Sequence, residues 1–179
     1  MLTAWAKKAA AIPNATGRLP GVAPSNALCI IPATKANGSQ AYIGLTSTDT
    51  NNAYTTFISS QLPSSGVAVG SGTTPPTEND YTLENQITGL TGTITQSTGT
   101  DVARGAYTDT LLITVTNATG QSVVIREVGT FIRYSNHTTY GSASSSISTF
   151  MIDRTVLAEP VTIPDGESRV IEYNFAYGV

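Results

Sequence analysis

Few side chains in this 179-residue sequence can do chemistry, and their spacing argues against most of it. The one histidine, His137, stands in a Ser- and Thr-rich stretch with no assignable orienting partner. A single histidine leaves His-based metal clusters and a Ser-His-Asp triad short of parts. The one cysteine, Cys29, lies in Ala-Leu-Cys-Ile-Ile and reads as a small buried apolar residue rather than a nucleophile. Gly70-Ser71-Gly72 follows a short apolar run, as a phosphate-cradling loop would. It lacks the later glycine and helix of a dinucleotide site and the lysine of a P-loop. Glu78, Asp80 and Glu84 are near enough in sequence to hold calcium, but not at EF-hand spacing; a solvated acidic turn is the better reading. Asp49, Asp101, Asp109, Asp165 and Glu167 all sit beside turn residues. The expectation is a non-enzymatic protein with no catalytic residue, no metal and no cofactor.

One pair of charges invites a structural role. Glu127 shares its parity with Val123 and Ile125 on a β-branched run, so alternation turns it partly inward. A buried carboxylate needs a partner. Arg154 is the leading partner for an ion pair, with Arg126 and Arg133 as rivals. A bulge that turns Glu127 outward would remove the need for one.

The elements that must position these groups are strands. Charged residues are only 12% of the chain and hydrophobic residues 40%, so hydroxyls, Asn and Gly take the place of charge. That suits an all-β protein with neutral solvent faces. Net charge is -3, and the nine Lys plus Arg do not cluster beyond Lys7-Lys8. Without a basic face there is no footprint for nucleic acid. No apolar run reaches membrane-spanning length, and Lys7 and Lys8 interrupt any secretory h-region.

In chain order, Leu2, Trp5, Ala6 and Ala9 have helical spacing before Pro13, which predicts a short N-terminal helix. Trp5 either packs on its own domain or, with Leu2, docks on a neighbouring subunit. A Pro- and Gly-rich stretch then reads as an extended arm, so residues 1–40 form a helix and arm and residues 41–179 a β domain. Short strands are expected at 27–31, 41–45, 54–59, 67–69 and 92–96, and one helical turn over 81–86 capped by Asp80. The clearest pattern is 107–134. Two β-branched runs flank Ala118-Thr119-Gly120-Gln121, which reads as a β-hairpin. Gly129 within it is a candidate bulge or close-approach site. A hydrophilic loop spans 135–146. Pro160 then punctuates a strand, and Pro164-Asp165-Gly166 turns into an alternating strand ending in Tyr173, Phe175 and Tyr177, a second hairpin. The sum is an antiparallel β-sandwich of about eight to nine strands.

Ile125-Arg126-Glu127-Val128-Gly129-Thr130-Phe131, Met151-Ile152-Asp153-Arg154-Thr155-Val156-Leu157, the Pro-Asp-Gly turn and the Tyr-rich final strand resemble virion structural proteins of tailed bacteriophages. Val69-Gly70-Ser71-Gly72-Thr73-Thr74-Pro75-Pro76, with Asp80 and Leu83-Glu84, is similar to the same group. The resemblance covers about residues 67–177. It implies a tail, collar, fibre-base or head-accessory protein, located in the virion and assembled in the bacterial host cytoplasm. Its implied partners are copies of itself and other virion proteins, with no nucleic acid and no membrane. A head decoration protein is the nearest alternative. A carbohydrate- or receptor-binding adhesin module is another, with Tyr134, Tyr173 and Tyr177 available to stack on a host-surface glycan.

Overall fold

The computed structural model describes residues 29–45, 66–101, 106–137 and 145–178. Among them the chain forms eight strands and no helix. These are β1 (Cys29–Thr34), β2 (Gln40–Leu45), β3 (Val67–Gly70), β4 (Leu90–Asp101), β5 (Ala106–Asn117), β6 (Val123–His137), β7 (Ser145–Ile163) and β8 (Ser168–Gly178). All pair antiparallel, in a five-stranded sheet of β1, β2, β6, β3 and β7 and a three-stranded sheet ordered β4-β5-β8. The expected helix over 1–12, the strand over 54–59, and Leu2 and Trp5 lie outside the described residues. The β1–β2 hairpin straddles the expected arm boundary at residue 40.

Both sheets feed one core. Leu111, Ile113 and Val115 alternate inward from β5, and Ile171 and Tyr173 from β8. They meet Val67 and Val69 of β3, Ile125 and Val128 of β6, and Ile163 of β7. Each fully buried aliphatic side chain contributes about 1.5–3 kcal/mol. The outward face of the smaller sheet is rich in hydroxyls, with Thr91, Thr93, Thr95, Thr110, Thr114 and Thr116. This two-residue period is what the sequence displays most plainly.

The two expected hairpins are corrected. Neither β5 and β6 nor β7 and β8 pair with each other. Each turn carries the chain from one sheet to the other: β5 pairs with β4 and β8, while β6 pairs with β7. Glycine turns between alternating strands specify a reversal of direction; they do not specify that both arms share a sheet. Besides β1 and β2, the sequence neighbours that do pair are β4 with β5 and β6 with β7, whose paired ends reach Asp101 and His137, within stretches that read as polar loops. Accordingly β4 is twelve residues long, not five, and β7 runs unbroken through Pro160. Pro160 is tolerated because residues 157–160 fall in the register shift between the Val156 and Val161 pairings and have no ladder partner on β6.

Asn117 ties the two inter-sheet corners together. Its buried side chain donates to Gln121 O (2.7 Å) and Ile163 O (2.9 Å) and accepts from Thr119 N and Oγ1. Its backbone N donates to Glu167 O and its carbonyl accepts from Gly166 N. Asp165 adds a bond from Gly120 N at 2.8 Å. Asn117→Ala strands the buried Ile163 carbonyl and removes the turn's other side-chain bonds, so it is expected to cost about 1–3 kcal/mol, read as a lower denaturant midpoint at unchanged slope.

The site is set by irregular pairing between β6 and β7. Ile125 pairs with Val161, but Glu127 pairs with Val156, and a second shift lies between Thr130 and Phe131. Inward parity therefore changes along β6. Ile125 and Val128 both face the main core, while Phe131 joins a second cluster with Ala68, Leu83 and Met151. Glu127, two residues from Gly129 and four from Phe131, shares that second face. The segment from Ser71 to Ile87 lies across it and adds a bridge, Gly70 to Gln86, at the outer edge of β3. β3 is consequently buried on both faces.

Candidate functional site

Glu127 is fully buried, and its carboxylate organises the covering segment. Oε1 accepts from Gly72 N (3.0 Å) and Asn85 N (2.8 Å), and Oε2 from Glu84 N (3.1 Å). Oε2 also receives Arg154 Nε at 2.8 Å. Gly129 pairs with Arg154 across the β6–β7 ladder, which puts the guanidinium on the same face as Glu127. The structure thus brings the two residues together, and Arg126 does not replace Arg154. The parity rule reaches this result by another route than alternation with Ile125, since the register shift has turned Glu127 to the opposite face of the sheet from that core residue.

Arg154 reaches two further carboxylates. Nη1 donates to Asp80 Oδ2 at 2.9 Å and Nη2 to Glu84 Oε2 at 3.4 Å. Each of these carboxylates also binds the covering segment itself. Glu84 accepts from Thr73 N, Thr74 N and Thr74 Oγ1, each at 2.8 Å. Asp80 accepts from Thr77 N (3.0 Å) and Thr77 Oγ1 (2.7 Å). Six backbone N–H groups, of Gly72, Thr73, Thr74, Thr77, Glu84 and Asn85, therefore point at carboxylate oxygens. Together with the guanidinium they supply the positive field that three clustered carboxylates need.

Two expectations for this segment are corrected. No helical turn forms over 81–86; Asp80 closes a turn on Thr77 instead. Asp80 and Glu84 are not simply a solvated acidic turn, because both pair with Arg154. The Gly-Ser-Gly loop does bind an anion, through Gly72 N alone, but the anion is the protein's own Glu127. Ala at Gly72 would place its Cβ 2.5 Å from Glu127 Oε1 and 2.6 Å from Glu84 Cβ, so only glycine lets the backbone come this close. Gly129 is a close-approach site rather than the bulge: a Cβ there would lie 2.7 Å from Leu83 Cδ2. The Thr-X-X-Asp spacing at Thr77–Asp80 was a readable turn signal. Nothing local in the sequence marks Asp80 and Glu84 as partners of a residue some seventy positions on.

These contacts shift the carboxylates. Burial works to raise Glu127, but N–H donation from Asn85, the Arg154 contact and further N–H groups outweigh it and hold the carboxyl below its usual range. Asp80 is lowered in the same way, against burial, by Thr77 and Arg154. Glu84 is lowered chiefly by Thr74 N–H and hydroxyl donation. Folded pKa values lie below unfolded ones, so the stabilisation is complete above about pH 4–4.5 and is lost as pH falls through the folded values. Urea midpoints measured from pH 7 down to pH 3 are expected to fall most steeply below about pH 4.5.

A second buried polar group lies between the sheets. Tyr173 Oη donates to Asp153 Oδ2 and bonds Thr155 Oγ1 at 2.8 Å. Burial, then the Asp153 charge, pushes the phenol above its ordinary range. Tyr173 is only 5% exposed, so it is not a platform for stacking on sugars. The side chains of Tyr134, Tyr177, His137 and Cys29 lie outside the described residues. Among the described residues no group of His, Cys, Asp and Glu is arranged to hold a metal ion. The arrangement fastens the covering segment to β6 and β7. Comparison with family models, with curated proteins and with solved structures finds no match to this chain.

Proposed function

We propose that this chain is a non-enzymatic structural component of a bacteriophage particle, assembling as a symmetric multimer at the tail, collar or fibre attachment. In this reading the two sheets form a β-sandwich, and the Pro- and Gly-rich stretch N-terminal to it drapes over a neighbouring subunit, with Leu2 and Trp5 at the contact. One observation carries the reading. The residues on which the resemblance to tailed-phage virion proteins rests are those that lock together: Glu127 and Arg154 join Gly72, Asp80 and Glu84 in one hub. A motif scattered over more than eighty positions gains a single physical reason, the fastening of a covering segment to a strand pair.

The test is the protein's presence in particles. Mass spectrometry of purified virions, with immunogold microscopy for position, is expected to find the chain at a fixed copy number at the tail, collar or fibre base. Gold confined to the capsid surface would favour the head decoration role. Absence from purified particles would overturn the reading.

A further inference from the structure

The three-stranded sheet has two outer strands, and they are chemically unlike. β8 carries the exposed charges Arg169 and Glu172, which discourage strand addition. β4 reads Leu-Thr-Gly-Thr-Ile-Thr-Gln-Ser-Thr-Gly-Thr from Leu90, with no charge and no proline before Asp101. Its twelve residues offer an edge about 40 Å long. Among the described residues the one strand paired with β4 is β5.

The other sheet closes its margins by identifiable means. β3 is covered where Ile87 N donates to Val69 O and Ser71 N to Asn85 O. β7 carries two register shifts, Pro160 and the charges Asp153, Arg154 and Glu159. β1 has Pro32 within it. Such devices are the usual protection of an edge. β4 has none of them.

We propose that β4 is a self-association edge: a second copy of this chain adds its own β4 antiparallel across a two-fold axis, joining the two three-stranded sheets into one. The proposal deepens the assembly role proposed above by naming its contact, and it rests on that reading only for the expectation of a multimer. Pairing across a two-fold places the strand opposite itself, so any charge near the axis meets its like. A neutral edge escapes this penalty, and β4 is the neutral one. Its exposed Thr91, Thr93 and Thr95 are β-branched hydroxyl residues that pair well with their own kind. Ile94, packed against the core but only partly buried, gains cover from the added strand. An acidic or basic partner would find nothing complementary here.

Sedimentation equilibrium and light scattering of the full chain test the contact. The expected result is reversible association into even-numbered species. Thr93→Lys/Thr95→Lys is expected to weaken it about tenfold or more by setting like charges across the axis. The far-UV spectrum should be unchanged, because both threonines are exposed, and the variant's Tm should match that of the native chain at dilutions where the native chain is monomeric. Val170→Lys, at an exposed position on the opposite outer strand, is expected to leave association intact. In hydrogen exchange, β4 amides should lose protection on dilution of the native chain. A strictly monomeric chain, association indifferent to the double substitution, or equal loss with Val170→Lys would each overturn the proposal. Absence from particles with β4 pairing intact would remove the virion reading alone; presence in particles of a monomer would remove this contact alone.

Discussion

Arg154→Met is expected to lower unfolding free energy by about 3–5 kcal/mol, the largest loss from any single side chain outside the main core. Glu127 has no exposed surface, and removing the guanidinium leaves its charge buried with N–H dipoles alone. Asp80 and Glu84 lose the same cation at once. Urea unfolding followed by circular dichroism measures the loss; a change below about 1 kcal/mol would show that the N–H groups alone suffice. Many buried ion pairs can be exchanged for apolar residues at little cost. This one should resist that exchange, because Gly72, Glu84 and Asn85 still need an acceptor where the carboxylate stood. Glu127→Gln combined with Arg154→Met is therefore expected to recover part of the loss. The amide keeps an acceptor and leaves no buried charge. Glu127→Met with Arg154→Met should not recover it.

Gly70→Ala is expected to cost about 3 kcal/mol, although it adds one methyl group. A Cβ at Gly70 would press on Glu127 Oε1 and lie 2.6 Å from Asn85 O. Neither atom is free to withdraw. The carboxylate is held by three N–H groups and Arg154, and Asn85 O accepts Ser71 N at 2.8 Å. Gly120→Ala is the informative comparison. Its φ of 83° disfavours a side chain, but nothing lies within 4 Å of the added carbon. That substitution should cost only about 1 kcal/mol, a conformational penalty without a collision. Equal losses at the two positions would mean that crowding at the hub is relieved by small shifts.

These contrasts mark how far the sequence can be read. The alternation of Leu111, Ile113 and Val115, and of Ile171 and Tyr173, displays strands and their buried faces because a period of two is local. Sheet membership is not local. Gly120 and Gly166 signal turns, but whether a turn keeps both arms in one sheet depends on partners such as β4 and β8, which carry no marker at the turn itself. Glu127 and Arg154 were legible as a pair because a carboxylate on an apolar run demands a partner. Asp80 and Glu84 were not, because a short acidic stretch looks alike whether water or a distant arginine satisfies it. The length of β4 was hidden too: Thr, Ser and Gly read as loop until β5 supplies the ladder.

The hub also dictates an order of events. Arg154 and Glu127 are 27 positions apart and belong to one strand pair, whereas Arg154 and Asp80 are 74 apart. The landing place for Ser71–Ile87 does not exist until β6 and β7 have found their shifted register. Closure of that segment is thus expected to be a late step in folding. Weakening it should leave the refolding rate nearly unchanged and appear instead as faster unfolding. The covering segment is then expected to act as a brake on the escape of the native state, setting how long the folded chain persists rather than how quickly it forms.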